Sequence, residues 1–506
     1  MKKLLVIVGA MFMVMLMVSV VLSAYHHEGE NDSQHFLAQY ADKAGTKLDH
    51  CALCHTGGQY ENSKGKTVSL GSCQWCHYSY GYDGSGNIVE TLNSYGMDYL
   101  MNGRNQSAIA AIAGKDSDGD GYSNAAEIAA VHYPGNANDD PTKVPAPSRV
   151  YTKAELQAMG QHTQFLLMNT SRSGDYYAQY TGVPVEDLLK NAGILSSATG
   201  ITVYSPDGWS DYHPLEQDSD PELYHVNGIY PEAYFQYSEQ ADTALNPTSG
   251  WCDYGAPSCA GRSHLDTIVN KNGLKMILAY KREGAAMEPG ILGEDNKLSG
   301  EGPFRIVPPQ KAPSPPDQSS NAADQDVIWP YNYDWDHNAG ASTRTVTMIR
   351  VEPLPEGTTD VDVLEAGWKY VDEEKVVVYG AIADPNPPVP DIKANGQDGT
   401  VTVTAGDPVS VSVALDAGSR MGQVADFWVY AYTDAMATDF FSYIHPTGWL
   451  AGVAPCLQSA LADVGSFEVW NAALPKGNYV FYFGVDSNAD GLPDVNWLDR
   501  VKVHVE

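Results

Sequence analysis

Basic residues are scarce in this chain. Its 506 residues carry 30 Lys and Arg against 63 Asp and Glu, a formal net charge of −33. A surface with that balance repels nucleic acid and anionic lipid. It suits cations or basic partners, or simply keeps an exported protein soluble. Long apolar runs are scarce too. One spans residues 4–22, behind Met1, Lys2 and Lys3, and no second membrane span follows. That layout reads as an export signal over residues 1–24, with cleavage after Ala24. The run of 19 residues also suffices for an uncleaved anchor. A nucleophile elbow, a phosphate-binding glycine loop and a dinucleotide fingerprint are missing from any convincing position. No internal repeat stands out beyond one doubled motif.

That motif uses four of only seven cysteines: Cys51-Ala-Leu-Cys54-His55 and Cys73-Gln-Trp-Cys76-His77, 22 residues apart. C-x-x-C-H is the signature of c-type haem attachment. Two cysteines one helical turn apart can add to the haem vinyl groups as thioethers, and the following histidine then reaches the iron as proximal ligand. A single copy would also suit a redox dithiol or half of a zinc site. Two copies could instead form one zinc knot, which leaves His55 and His77 unexplained. The expectation is two covalent haems on Cys51, Cys54, Cys73 and Cys76, with His55 and His77 as axial ligands. The second axial ligand sets much of the potential, and spacing does not identify it. His26, His27, His35, His50, His132, Met97 and Met101 are the candidates; any of the histidines could equally be a solvated surface residue. His35 is favoured because Phe36, Leu37 and Tyr40 around it form a short helical pattern.

A second complete pattern follows at Asp116-Ser-Asp118-Gly-Asp120-Gly121-Tyr122-Ser-Asn124-Ala-Ala-Glu127. Oxygen side chains fall at loop positions 1, 3, 5 and 9, a carbonyl at 7 and a carboxylate at 12, with glycine at 6 for the sharp turn. This is the EF-hand calcium loop. Without a cation the carboxylates would repel one another; the plainer alternative is a solvated acidic loop. A helix is expected to continue through 125–131, and a single hand reads as a structural lock rather than a sensor.

Residues 141–147, rich in proline, have the composition of a linker. Beyond it, Thr152 and Glu155 are spaced as a capping box. Pro184 and Gly193 bracket a helix whose Val185, Leu188, Leu189 and Ala192 share one face. Strands are expected at 201–204, 274–280 and 343–351, which together imply an α+β domain. Cys252 and Cys259 suit a local disulfide in an oxidising compartment.

Three pieces of this region, YTGVPVEDLLKNAGI, TVYSPDGW and GEGPFRIVPP, occur in an order that resembles the molybdopterin-binding domain of the sulfite oxidase family. In that family a cysteine upstream of the GVP helix ligates molybdenum. The matching stretch here, LLMNTSRSGDYYAQY over 166–180, has none. Thr170, Ser171 and Ser173 are poor substitutes for a soft thiolate ligand, so molybdopterin is not expected and no molybdenum ligand is assigned. The two C-x-x-C-H motifs, the calcium loop and the GEGPFR block, in this order, are similar to the GEGP motif-containing dihaem proteins. These are exported bacterial cytochromes, and the resemblance spans most of 25–384; it implies haem and export but no defined reaction.

Residues 384–390 read as a second proline-rich linker. Beyond it the apolar period becomes two: Val401 and Val403; Val409, Val411 and Val413; Phe427, Val429 and Ala431; Tyr479, Phe481 and Phe483; Val501, Val503 and Val505. Six or seven short strands at this spacing argue an immunoglobulin-like β-sandwich. Asp486, Asn488, Asp490 and Asp494 form the front of another calcium loop, but Trp497 stands at the closing position, so an acidic hairpin turn fits as well.

The chain therefore reads as a multidomain protein. Residues 1–24 form a signal peptide, 25–140 a small, mainly α dihaem module with its calcium loop, 148–384 a sulfite-oxidase-like α+β domain and 391–506 a β-sandwich. The expected function is an exported dihaem c-type cytochrome, an electron carrier rather than an enzyme with its own substrate. Its partners would be redox proteins or extracellular electron acceptors, with no nucleic acid, and membrane contact only through an uncleaved signal. It would sit in the periplasm, on the outer membrane or outside a bacterial cell. The alternatives are a haem-linked molybdopterin oxidoreductase and a calcium-stabilised surface binding protein.

Overall fold

The computed structural model describes residues 30–506 except 45, 50–51, 56–58, 62–66, 70–88, 90–91, 171–173, 207–208, 218–219, 221–222, 231–234, 237–251, 264–266, 269, 292–297, 312–315, 317–335, 362–366, 437–439, 488 and 494. The export-signal reading of 1–24 falls outside the described residues. Among those described, no helix is long and apolar enough to cross a membrane. The chain is β-rich with few helices, and its C-terminal part is a two-sheet β-sandwich.

The helices gather at the N-terminal end: Glu30–Gln39, Ala52–His55, Ser94–Met101, Gln106–Ile112 and Asn124–Ala130. Local chemistry starts three of them. Asn93, Asn105 and Ser123 each accept a hydrogen bond from a backbone N–H in the first turn, satisfying a donor that the helix leaves open. Phe36, Leu53, Tyr95, Ile109, Ile112 and Ile128 meet in a small core. Eleven buried apolar residues form it among the described residues, against thirty in the main central core. Apolar burial is the main driving term for folding, so the described residues of this part supply the smaller share of it.

The central part carries two larger sheets. One has five strands in the order Ser148–Thr152, Lys375–Gly380, Met348–Glu352, Gly200–Tyr204, Ser210–Pro214. The other is built on Asp175–Pro184, which pairs antiparallel with His162–Met168 on one side and with Ile277–Arg282 on the other. The expected capping box is present: the Thr152 hydroxyl accepts from the Glu155 amide, and the Thr152 amide donates to Glu155 Oε2 at 2.8 Å. The helix Val185–Ala192 runs from Pro184 to a left-handed Gly193 and buries the four apolar residues of its one face. The later strands are shorter than their apolar runs. Leu274 makes only an isolated bridge to Tyr230, and 343–347 lies ahead of the strand Met348–Glu352.

The GEGPFR block closes the second sheet. Arg305–Val307 pairs with Ile277–Arg282. The Arg305 side chain is buried, donates to Ser342 Oγ at 2.7 Å and Tyr176 Oη at 2.8 Å, and pairs with Glu301. Arg282 reaches the other Glu301 oxygen at 3.2 Å. Burial alone would raise the Glu301 carboxyl, but the two guanidinium groups override it and hold it below its ordinary value. Glu301 and the buried Arg305 thus neutralise one another, and the second cation, Arg282, is one-third exposed and keeps contact with water.

In the sandwich, Val389–Ala394, Pro408–Asp416 and Val464–Ala473 form one sheet. The facing sheet holds Gly399–Val403, Trp497–Val505, Gly477–Asp486, Val424–Thr433, Phe440–Ile444 and Gly448–Ala451, with Leu457–Ala460 also on Val424–Thr433. All the alternating residues named from the sequence are buried in the one core between them, except Val403, which packs at its margin. Ten strands are described where six or seven were expected. The additions escape notice for a physical reason. Val464–Ala473 is exposed along most of its length, and Gly448–Ala451 and Leu457–Ala460 bury no residue, so none of them needs an apolar period.

Both proline-rich segments differ from the linkers that their composition suggests. Val144–Pro145 pairs parallel with Thr358–Thr359, and Val144 and Ala146 are buried. In the second, Asp384 accepts from Arg420 Nε at 3.2 Å in a nearly buried ion pair, and the Asn386 carbonyl accepts from the Ser419 amide at 2.7 Å. Proline lacks a backbone donor, which suits a segment bound mainly through carbonyls and side chains.

Candidate functional site

Of the two C-x-x-C-H motifs, Cys54 and His55 are described; Cys51 and the whole second motif, Cys73, Cys76 and His77, fall outside the described residues. Ala52–His55 forms one helical turn, with Cys54 half-buried and His55 buried. Asn93 anchors this turn: its side-chain amide donates to the Leu53 carbonyl at 3.0 Å and its backbone N–H to the Cys54 carbonyl at 2.8 Å. The helix Ser94–Met101 then rests directly on the turn, because a Cβ on Gly96 would lie 2.5 Å from the Cys54 carbonyl oxygen. Beneath it the Tyr95 hydroxyl is buried with no hydrogen-bond partner among the described residues. Burial, with Cys54, Tyr40 and Tyr99 nearby, pushes that hydroxyl well above its ordinary pKa. A half-buried thiol and a buried imidazole at consecutive positions of one turn are two of the three groups that a C-x-x-C-H motif would offer a haem.

The candidate distal ligands separate clearly. His35 is half-buried on Glu30–Gln39, with Nδ1 2.9 Å from the Tyr99 hydroxyl, which itself donates to Asp32 at 2.8 Å. His132 is buried, with Nδ1 2.8 Å from Asp139 Oδ1. Each arrangement holds one ring nitrogen through Nδ1, the way partners orient a ligating histidine. Met101 is 76% exposed, so it lies mostly in water, while Met97 is 38% exposed. His26, His27 and His50 fall outside the described residues.

The Asp116–Glu127 loop is fully described. Gly121 has φ +101° and provides the turn. Asp116 accepts from the amides of Gly119 at 2.7 Å and Gly121 at 3.0 Å, and Asp120 Oδ1 accepts from Tyr122 at 2.8 Å. Oxygen atoms of Asp116, Asp118 and Asp120 lie within 4.8 Å of one another. Asp118 Oδ2, Asp120 Oδ2 and both oxygens of Glu127 are buried with no hydrogen-bond partner among the described residues. Burial and then the three aspartates push the Glu127 carboxyl up to about 9; burial and then Asp120 push Asp118 up to about 6. Buried carboxylate oxygens without a donor on Asp118, Asp120 and Glu127, in a loop whose three aspartates approach within 4.8 Å of one another, fit a hard cation. Asn124 behaves differently: its Oδ1 accepts from the Ser117 amide at 3.2 Å, and its Nδ2 donates to the Ile112 carbonyl at 2.7 Å, so it braces the two ends of the loop.

In the central part, Leu166–Met168 and Ala178–Tyr180 lie on paired strands. Thr170 is buried, with its amide on Asp175 Oδ1 at 2.8 Å, while Ser171 and Ser173 fall outside the described residues. Cys259 is buried, but the side chain of Cys252, its expected disulfide partner, falls outside them as well. In the sandwich, Asp486 and Asp490 are described and Asn488 and Asp494 are not. Two structural groups were not legible from spacing. One is the Asp139 cluster, whose carboxylate also takes Lys47 Nζ at 2.7 Å. The other is Asp426, opposite Asp486 on the neighbouring strand.

Neither a protein-family model nor a curated protein matches the chain. Among solved structures, the CARDB domain of a Pyrococcus furiosus protein, determined in complex with di-metal ions, is similar at 15% identity. The match covers 24% of this chain and 89% of that domain, with a TM-score of 0.14, and at that score carries no argument for function.

Proposed function

We propose that the protein is an exported dihaem c-type cytochrome that carries electrons outside the cytoplasm, with the central part and the β-sandwich docking or displaying the haem module. The observation that carries the reading is the doubled C-x-x-C-H motif. The described half of the first motif supports it, since Cys54 and His55 share one anchored turn. Covalent haem would supply a one-electron ferric–ferrous couple. The chain's own residues would orient the imidazoles, through Tyr99 for His35 and Asp139 for His132, and would exclude water around Leu53 and Tyr95. A haem pair would also add apolar contact to a core that is, among the described residues, the smallest of the three main ones. The Asp116–Glu127 loop would hold calcium as a structural ion.

The test is metal content by mass spectrometry, with the reduced visible spectrum, of protein purified from a host that matures c-type haems. Two iron per chain, covalently attached and without molybdenum, is the expected result. Iron well below two with zinc present overturns the haem reading. One molybdenum per chain would shift the function to a haem-linked molybdopterin oxidoreductase.

A further inference from the structure

The loop after Gly477–Asp486 has the front half of a calcium pattern and, in sequence, no closing carboxylate, because Trp497 stands where the first loop has Glu127. The fold brings another carboxylate to the start of this loop from a neighbouring strand. Asp426, on Val424–Thr433, is directly opposite Asp486 across the antiparallel pair. Such residues have Cβ atoms about 4.5–5.5 Å apart, and like charges facing each other there are destabilising. Both aspartates are fully buried, at 0% and 1% exposure. Asp426 Oδ2 accepts from the Gly491 amide at 2.7 Å, which turns its carboxylate into the loop. Its Oδ1 is buried with no hydrogen-bond partner among the described residues. A buried carboxylate oxygen without a donor is costly unless a cation takes it.

The two loops share a turn. Gly491 has φ +77° at the position of Gly121. Asp490 Oδ1 accepts from the Leu492 amide at 2.7 Å, as Asp120 Oδ1 does from Tyr122 at 2.8 Å. The sixth-position amide goes to Asp116 in the first loop and to Asp426 in the second. Asp426 therefore makes, from a neighbouring strand, a contact that the first loop makes within itself. The acidic group of Asp391, Asp398 and Asp499 differs: Lys393 already sits among it, and Asp499 accepts from the Ile392 amide.

We propose that Asp426 completes a second cation site in the sandwich. Its carboxylate and that of Asp486 hold a hard divalent cation of the calcium class, with Asp490 in the adjoining loop as an outer carboxylate; the three are not all within 4.8 Å of one another. The site is distinct from the Asp116–Glu127 loop and independent of the haem reading. It lies at the seam with the central part. Gln423 Nε2 donates to the Ser487 carbonyl at 2.5 Å, and a Cβ on Gly357 would lie 1.9 Å from that same nitrogen. Occupancy therefore stiffens the seam as well as the loop.

The test uses the full chain, freed of metal and titrated with calcium chloride, with hydrogen–deuterium exchange read over 484–497 and over 116–127. At a calcium concentration about ten times Kd, amides of 484–497 are expected to exchange about tenfold more slowly. E127Q should remove the response at 116–127 and keep that at 484–497; D426N should do the reverse. D490N, in the exposed loop, repeats the D426N result without touching the sheet. Unchanged exchange over 484–497 in the wild type overturns the site, as does an E127Q chain that binds no calcium.

Discussion

At the scale of single residues, the first acidic loop is governed by Glu127. Its carboxyl is buried and lifted from an ordinary 4.5 to about 9. A group that binds its proton more tightly when folded stabilises the fold at low pH, and that contribution is lost as pH rises above the unfolded value. The window is thus about pH 4.5 to pH 9. In a chelator, the melting temperature of the chain is expected to fall across that window, and E127Q should flatten the fall; scanning calorimetry at several pH values checks both. Calcium should flatten it in the wild type, because the cation replaces the proton as the counter-charge. A wild-type curve in chelator that rises over the same window would refute the account. The loop's pattern was readable from spacing alone, because all its ligands lie within twelve residues. The bracing role of Asn124 was not readable, because its partner Ile112 lies outside the loop.

At the scale of elements, the second central sheet depends on close approach. A Cβ on Gly182 would lie 2.2 Å from the Leu278 carbonyl oxygen and 2.6 Å from Ala279 Cα, both backbone atoms of the partner strand. Neither can yield as a side chain would. Gly182→Ala is expected to cost about 1–3 kcal/mol or more by overpacking, read as a lower urea midpoint at an unchanged slope. An unchanged midpoint would show that the strands move apart freely. Helix ends and sandwich alternation were legible here because they follow local rules: a cap, a left-handed glycine, a period of two. Strand pairing was not, since Asp175–Pro184 is joined to Ile277–Arg282 across nearly a hundred residues.

At the scale of the whole molecule, Asp139 ties the N-terminal module to the rest. It takes Lys47 Nζ at 2.7 Å, His132 Nδ1 at 2.8 Å, the Tyr133 amide at 2.9 Å and Thr359 Oγ1 at 2.5 Å. Burial would raise its carboxyl, but the His132 and Lys47 contacts override this and hold it well below the ordinary range. Stability from a depressed carboxyl is present above its unfolded value and lost as pH falls through the folded one. Removing one partner of a buried ion pair costs about 3–5 kcal/mol, because the other charge is stranded. Asp139→Ala is therefore expected to loosen the module and expose the chain around 139–147 to limited proteolysis. An intact digestion pattern would mean that the contact between Val144–Pro145 and Thr358–Thr359 suffices by itself.

The sequence by itself determined what short spacing can encode: two C-x-x-C-H motifs, one complete acidic loop, a capping box, and a two-residue period through the sandwich. Those rest on ligands, caps and faces only a few residues apart, so chain geometry brings them together. The tertiary structure decided the rest. It turned two linker-like proline segments into packed, hydrogen-bonded strands and contacts. It gathered Glu301, Arg305 and Arg282 with the hydroxyls of Tyr176 and Ser342 into one hydrogen-bonded cluster. It also set Asp426 opposite Asp486, 60 residues away in the chain. Such groups meet only after distant strands pair, and their charges are then desolvated together, which no local pattern in the chain records.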